Sequence, residues 1–232
     1  MSRIFVTGDT HGIIDLDKLR KLPVDKFTKE DYVIICGDAG IIWGSNTDEE
    51  IIELYNSLPF TTLFVDGNHE NHDLLDSYPV EEWNGGKVHK ISDSIIHLMR
   101  GQVFNICGRS FFTMGGAEST DKWHRTEGVS WWRREMPSTE EYNEAMENLE
   151  KVGFEVDYVL THCAPISILW ELGHGFRWYE KDALTGFFNR LVYDFNLKFK
   201  TWYFGHYHVD RGIKEENEYK YVCLYDCVER II

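Results

Sequence analysis

The chain has 232 residues, 43% hydrophobic and 27% charged, a composition that buries a core and excludes a disordered protein. Its 24 basic and 39 acidic residues leave a formal net charge of −15, which repels long duplex nucleic acid and anionic membranes alike. There is no apolar run of about 18 residues to span a bilayer, no apolar segment of signal-peptide length near the first residues, and no CxxC among the five cysteines. The expectation is a cytoplasmic protein with reduced thiols that serve mainly as small buried residues. With no repeat, linker or low-complexity tract, residues 1–232 read as one domain.

In chain order, residues 4–7, 32–36 and 61–65 are short runs of β-branched and aromatic residues that end in Gly or Asp, and they predict buried strands. Between the second and third lies a helix over 47–58. Thr47 and Glu50 stand at capping-box spacing, and Ile51, Tyr55 and Leu58 share one face. Residues 88–98, 103–106 and 110–113 read as antiparallel strands joined by tight turns. A second helix over 138–152 opens with Ser138 and Glu141 and carries the stripe Tyr142, Ala145, Leu149 and Val152. Strands over 156–160 and 201–204 flank a third helix over 182–195, with Leu184, Phe187 or Phe188, Leu191 and Phe195 apolar. A last strand over 219–225 would close a sheet edge. Strands and helices that alternate, give way to hairpins and then alternate again predict a mixed α/β layered fold.

The chemistry lies in the segments at the strand ends. In chain order they are Gly8-Asp9-Thr10-His11-Gly12, Gly37-Asp38-Ala39-Gly40, Gly67-Asn68-His69-Glu70, Thr161-His162-Cys163 and Gly205-His206-Tyr207-His208. Ligands of open α/β sheets sit at the carboxyl ends of strands, and glycine there lets the backbone turn close to them. Carboxylates, imidazoles and an amide suit Mn²⁺, Fe or Zn²⁺ without a thiolate. In DxH and HxH the alternate residues of an extended segment point the same way, so both can reach one ion. The two oxygens of a carboxylate such as Asp38 can bridge two ions.

In this order the five segments resemble the signature of the calcineurin-like metallophosphoesterases, over residues 8–208. The resemblance implies a four-layer α/β/β/α sandwich, with two mixed β-sheets and helices on both outer faces. It also implies hydrolysis of phosphate esters with two divalent metal ions, manganese first and iron, zinc or nickel as further candidates. Asp9, His11 and His208 would hold one ion and Asn68, His162 and His206 the other, with Asp38 shared. A hydroxide between the ions would attack phosphorus in line. His69 would face the substrate and protonate the leaving oxygen, and Asn68 would lie beside the ester. The protein Ser/Thr phosphatase branch reads GDxVDRG and RGNHE. Here Ala39-Gly40 replaces the former's continuation and Asp66 stands where the latter has Arg, so that branch is disfavoured. The expected substrate is a small-molecule or nucleotide phosphomonoester. A phosphodiesterase or nuclease using the same site is the enzymatic alternative, and a non-catalytic scaffold of the same fold is the alternative of another class.

Several residues have two readings. Asp66 is a turn residue or a partner of a ligand imidazole. Residues 119–136 carry three tryptophans and a local charge of +1 in an acidic chain; they pack on the sheet rim or form a substrate-side wall, with Arg125 and His124 contacting phosphate. Residues 173–179 are a glycine-rich surface loop or a cap. His72 starts a helix, with Asp73 and Asp76 in its favour. Cys163, beside His162, is a packing residue before it is a nucleophile.

Overall fold

The computed structural model describes residues 2–23, 26–173, 182–215 and 218–232. Among them are helices α1 (Asp17–Arg20), α2 (Asp48–Ser57), α3 (His72–Leu75), α4 (Thr139–Lys151), α5 (Ile166–Leu172) and α6 (Ala183–Tyr193). The first sheet contains β1 (Ile4–Thr7), β2 (Tyr32–Cys36), β3 (Thr61–Val65), β4 (Val80–Trp83), β5 (Gly86–Ser92), β6 (Ile95–Leu98) and β13 (Glu229–Arg230). Its order is β13-β1-β2-β3-β6-β5-β4. The second contains β7 (Gln102–Ile106), β8 (Arg109–Met114), β9 (Tyr158–Thr161), β10 (Thr201–Phe204), β11 (Arg211–Glu215) and β12 (Glu218–Cys223), in the order β11-β12-β10-β9-β8-β7.

Both sheets are mixed. β1, β2, β3 and β6 run parallel, as do β8, β9, β10 and β12, while the outer strands are antiparallel. The alternation of side chains along each strand builds the layers. Ile4, Val6, Ile34, Cys36, Leu63 and Val65 face Phe104, Phe111, Leu160, Tyr203 and Val222 of the second sheet. The intervening Phe5, Val33, Ile35 and Phe64 turn the other way, onto Leu16, Leu19, Tyr55 and Leu58. On the far side, Phe112, Val159, Trp202 and Phe204 pack against Ala145, Leu149, Leu169, Leu184, Phe188 and Leu191. Three apolar interfaces separate four layers, and the expected α/β sandwich is the fold observed.

The α4 capping box forms in both directions, Ser138 Oγ accepting from Glu141 N–H at 3.2 Å and Glu141 accepting from Ser138 N–H at 2.7 Å. The expected box at Thr47 and Glu50 does not form. Asp48 instead accepts from the N–H groups of Trp43, Gly44 and Ser45 at 2.8, 2.6 and 3.1 Å. An Asx-type turn thus secures the entry that a capping box would have held. Residues 219–225 do not close an edge, because β12 lies between β10 and β11, and the polar β11 is the edge. Val152 falls outside the α4 stripe, 38% exposed past the last turn. Cys107 and Cys227 are exposed, unlike Cys36, Cys163 and Cys223, and all five are free.

Candidate metal centre

The carboxyl ends of β1, β2 and β3 in one sheet and of β9 and β10 in the other meet at one rim. Backbone hydrogen bonds join the loops that leave them. Asp9 N–H donates to Gly37 O at 3.2 Å, His11 N–H to Asp38 O at 2.9 Å, and Gly205 N–H to His162 O at 3.0 Å. Glycine permits the close approach. A Cβ on Gly37 would stand 2.1 Å from the His162 ring, and one on Gly67 would stand 2.0 Å from Asp38 Oδ1. Nine non-glycine described residues have positive φ, and five of them are Asp9, His11, Asp38, His206 and His208. Each such conformation costs on the order of 1–3 kcal/mol, and its concentration here marks a functional rim.

The rim gathers the donor atoms. One set, Asp9, His11 and His208, and a second, Asp9, Asp38 and His162, each place their donor atoms within 4.8 Å of one another. His11 Nε2 lies 3.6 Å from Asp38 Oδ2, His162 Nε2 3.3 Å from Asp38 Oδ1, and His208 Nε2 3.5 Å from Asp9 Oδ1. Asn68 Oδ1 is 3.1 Å from His162 Nε2, and the His206 ring is 4.9 Å from the His162 ring. The two carboxylates are also held by backbone donors, Asp38 by His69 N–H at 2.8 Å and Asp9 by His206 N–H at 3.0 Å.

The surroundings fix which imidazole nitrogen faces inward. His162 Nδ1 bonds to Cys36 O at 2.8 Å and His11 Nδ1 to Asp15 at 2.8 Å, leaving each Nε2 for the centre. Burial disfavours a charged His11, but its bonds to Asp38 and Asp15 outweigh that and push it up to about 9. His162 is likewise desolvated, yet the Asp38 charge pushes it up to about 9. Asp38 is held well below the usual carboxylate range, because the same imidazoles overcome its burial. Burial, the Arg125 charge and the two neighbouring imidazoles hold His69 below the ordinary histidine value against the pull of Asp38.

This charge pattern tests the fit to a metal. Asp9 and Asp38 are 0% and 1% exposed, and among the described residues their ion-pair partners are imidazoles alone. Buried carboxylates need a cation. Raised proton affinity at His11 and His162 offsets the Asp38 charge, and a divalent ion on the same nitrogen and oxygen donors would take the place of those protons. The donor set fits.

Other expected residues have partners of their own. Arg125 grips Asp121 through Nε and Nη2, both at 2.8 Å, so its fork is committed within its own segment. The exposed His124 ring lies against Trp123, centroids 3.3 Å apart. Trp132 is buried and donates to Asp73 at 2.9 Å, and Arg134 pairs with Asp76 and Glu141. Ser119, Trp132 and Glu135 are thus packed, while most of residues 120–129 is exposed. Among the described residues, Asp66 partners no ligand imidazole. It pairs with Arg100 at 2.5 Å and His97 at 3.2 Å. His72 opens α3 behind Asn71, as expected. Burial pushes the Cys163 thiol well up, which removes it as a nucleophile. The expected cap over 173–179 lies outside the described residues beyond Gly173.

Sequence reasoning missed the supports. Buried Lys18 donates to Gly8 O and Tyr225 O, and to Asp9 O at 2.9 Å. Glu70 accepts from Ala39 N–H at 2.7 Å; burial, then the Asp38 charge, push it up to about 8. Only Glu70 had a signal, as the last letter of its motif. Beside the centre a cleft of about 250 Å³ is lined by Ala117, Ser119, Lys122, Leu169, Asp182 and His206.

No curated protein matches the sequence significantly. Among solved structures, a phosphopantetheinyl hydrolase from Mycobacterium tuberculosis aligns over 97% of this chain and 89% of its own, with TM-score 0.51 and 12% identity. A candidate 5'-nucleotidase from Staphylococcus aureus aligns over 98% of this chain and 50% of its own, with TM-score 0.49 and 15% identity. Residues 2–210 match the calcineurin-like phosphoesterase family, so the strand-end motifs, the layered sheets and the sequence agree that the chain belongs to that family.

Proposed function

We propose that the protein is a metal-dependent phosphoesterase that uses two divalent cations, manganese among them, on small or nucleotide phosphate monoesters. The observation that carries this reading is the pair of donor sets, Asp9-His11-His208 and Asp9-Asp38-His162, whose buried carboxylates have no guanidinium or ammonium partner among the described residues. Bound divalent cations supply charge to the phosphoryl oxygens and lower the pKa of water. Asn68 and His206 complete the donors on the His162 side. His69 is half-buried at the rim, its ring centroid 6.1 Å from that of His11, and there serves as the proton donor to the leaving oxygen. Asp15 and the Cys36 carbonyl orient His11 and His162, and Glu70 holds the Asp38 loop.

The 250 Å³ cleft suits a small organic group on the ester. The net charge of −15 disfavours long duplexes, which weighs against a nuclease. A cytoplasmic setting for the whole chain, acting as one phosphoesterase unit, accords with five cysteines that are all free. Among the described residues no helix is long and apolar enough to cross a membrane.

The test is hydrolysis of a chromogenic aryl phosphate by purified protein with added Mn²⁺, compared with the matching bis-ester. We expect turnover that EDTA abolishes and a faster monoester. A faster bis-ester moves the assignment to a phosphodiesterase. Metal-replete protein inert on both esters and on a panel of metabolite phosphates leaves the scaffold.

A further inference from the structure

We propose that Ser119 and Glu135 are positioning residues that determine which end of the Asn68 side-chain amide faces the cation centre. The inference rests on the reading of Asn68 as a ligand. The two ends of a carboxamide have nearly the same shape but opposite chemistry. Only the oxygen can bind a cation; the NH₂ group can only donate. Something outside the amide has to select the orientation, because Asn68 is 5% exposed and little water reaches it.

The selection runs through three segments. Glu135 ends a short 3₁₀ turn, Arg133–Glu135, and is 1% exposed. Its carboxylate accepts twice from one residue: Oε1 takes the Ser119 N–H at 3.0 Å and Oε2 takes the Ser119 hydroxyl at 2.5 Å. An ionised carboxylate only accepts, so the hydroxyl proton of Ser119 is committed to it. Ser119 Oγ then has only lone pairs to offer in the other direction. Asn68 meets it with Nδ2, 3.2 Å away. Oδ1 is thereby turned to the opposite side, 3.1 Å from His162 Nε2 and into the centre. Each link has one allowed polarity, and the carboxylate at the far end sets it.

The same segments are tied a second time. Arg100 Nη2 donates to the Arg134 and Glu135 carbonyls at 2.8 and 3.2 Å and pairs with Asp66, two residues before Asn68. Gly116 N–H donates to Asp66 O at 2.8 Å. The segment that carries Ser119 and Glu135 is thereby anchored to the strand end that carries Asn68.

The experiment is Mn²⁺ titration of metal-free protein, followed by calorimetry and by the Mn²⁺ spin resonance signal, with no turnover involved. Wild type is expected to take up two ions. In Ser119→Ala one site should weaken by about 10–100-fold while the other holds, the usual cost of losing a ligand's outer partner. Ser119→Thr, which restores the hydroxyl, should recover most of that loss. Equal affinities in wild type and Ser119→Ala, or equal weakening of both sites in a variant with an intact thermal transition, would overturn the inference. If Ser119→Ala does not fold, Glu135→Gln decides: it keeps the shape but replaces one acceptor with a donor, so one weakened site supports the inference and wild-type binding refutes it. Wild type that takes up no ion would remove the phosphoesterase reading, and this inference with it; wild-type uptake beside an indifferent Ser119 removes only the inference.

Discussion

Asp38 and Asp66 lie just past neighbouring strands of the same sheet, each 1% exposed and each beside histidines, yet their counter-charges differ. Asp66 carries its own cation. Arg100 grips it through Nε at 2.9 Å and Nη2 at 2.5 Å, His97 bonds it at 3.2 Å, and His89 backs His97 at 3.2 Å. Burial raises Asp66, but Arg100 and then His97 hold it well below the usual range. Among the described residues, Asp38 has only His11 and His162. A guanidinium fixed in place makes the first group self-neutralised and structural. Its absence leaves the second group open to an external cation. The residue types are nearly the same; one buried arginine separates a fastening from a binding centre.

The contrast can be broken or sharpened. Asp38→Asn should have the largest effect, with turnover down by more than about 10³-fold as charge stabilisation at the phosphoryl group is lost. Metal analysis should show fewer ions bound, and wild-type content would contradict a ligand role for Asp38. His69→Ala should come next, slowing turnover by about 10²–10⁴ with both ions retained. Loss of an ion would move His69 among the ligands.

At the other group, Arg100→Leu leaves Asp66 buried and unpaired, which should cost about 3–5 kcal/mol in urea unfolding. Adding Asp66→Asn should recover part of this. Without such recovery, the guanidinium does not act chiefly by neutralising Asp66. Mn²⁺ at about 100 times its dissociation constant should stabilise wild type by about 2.7 kcal/mol and Asp38→Asn by much less. An equal rise in both melting temperatures would place the bound ion elsewhere.

The smallest effect is a pH dependence from His72. Burial first, then the Arg100 charge, push it down to about 3, and its Nε2 has no hydrogen-bond partner among the described residues. A folded value below the unfolded one means that the unfolded chain takes up the proton first. Stability is therefore full above about pH 6.5 and falls as the pH drops towards 3. Between pH 7 and 5 this amounts to roughly 2 kcal/mol, and His72→Leu should flatten that part of the profile. An unchanged slope would assign acid sensitivity to other groups, such as His89, which burial and His97 push down to about 4.

Sequence reading succeeded where a signal is local. The runs at 4–7, 32–36, 61–65 and 201–204 match strands residue for residue, because continuous β-branched and aromatic residues suit strands buried on both faces. It missed β4, whose Val80-Glu81-Glu82-Trp83 is largely exposed and reads as loop, and the two-residue β13. The Thr47 box failed because Asp48, one residue on, offers two acceptor oxygens to the same turn. Arg125 and His124 were chosen for residue type, and the structure gives them neighbours in the same short segment, Asp121 and Trp123.

Residue order alone therefore established the layered α/β class, the strand-end position of Asp9, Asp38, Asn68, His162 and His206, and the chemistry of their side chains. These come from periodicity and local turn preference, which neighbours in the chain decide. Tertiary structure alone decided the order of strands, the pairing of Asp66 with Arg100 over 34 residues and the link from Asn68 to Ser119 over 51. Such contacts depend on which segments the closed sheets bring together, and a buried charge or amide takes whatever partner that packing supplies.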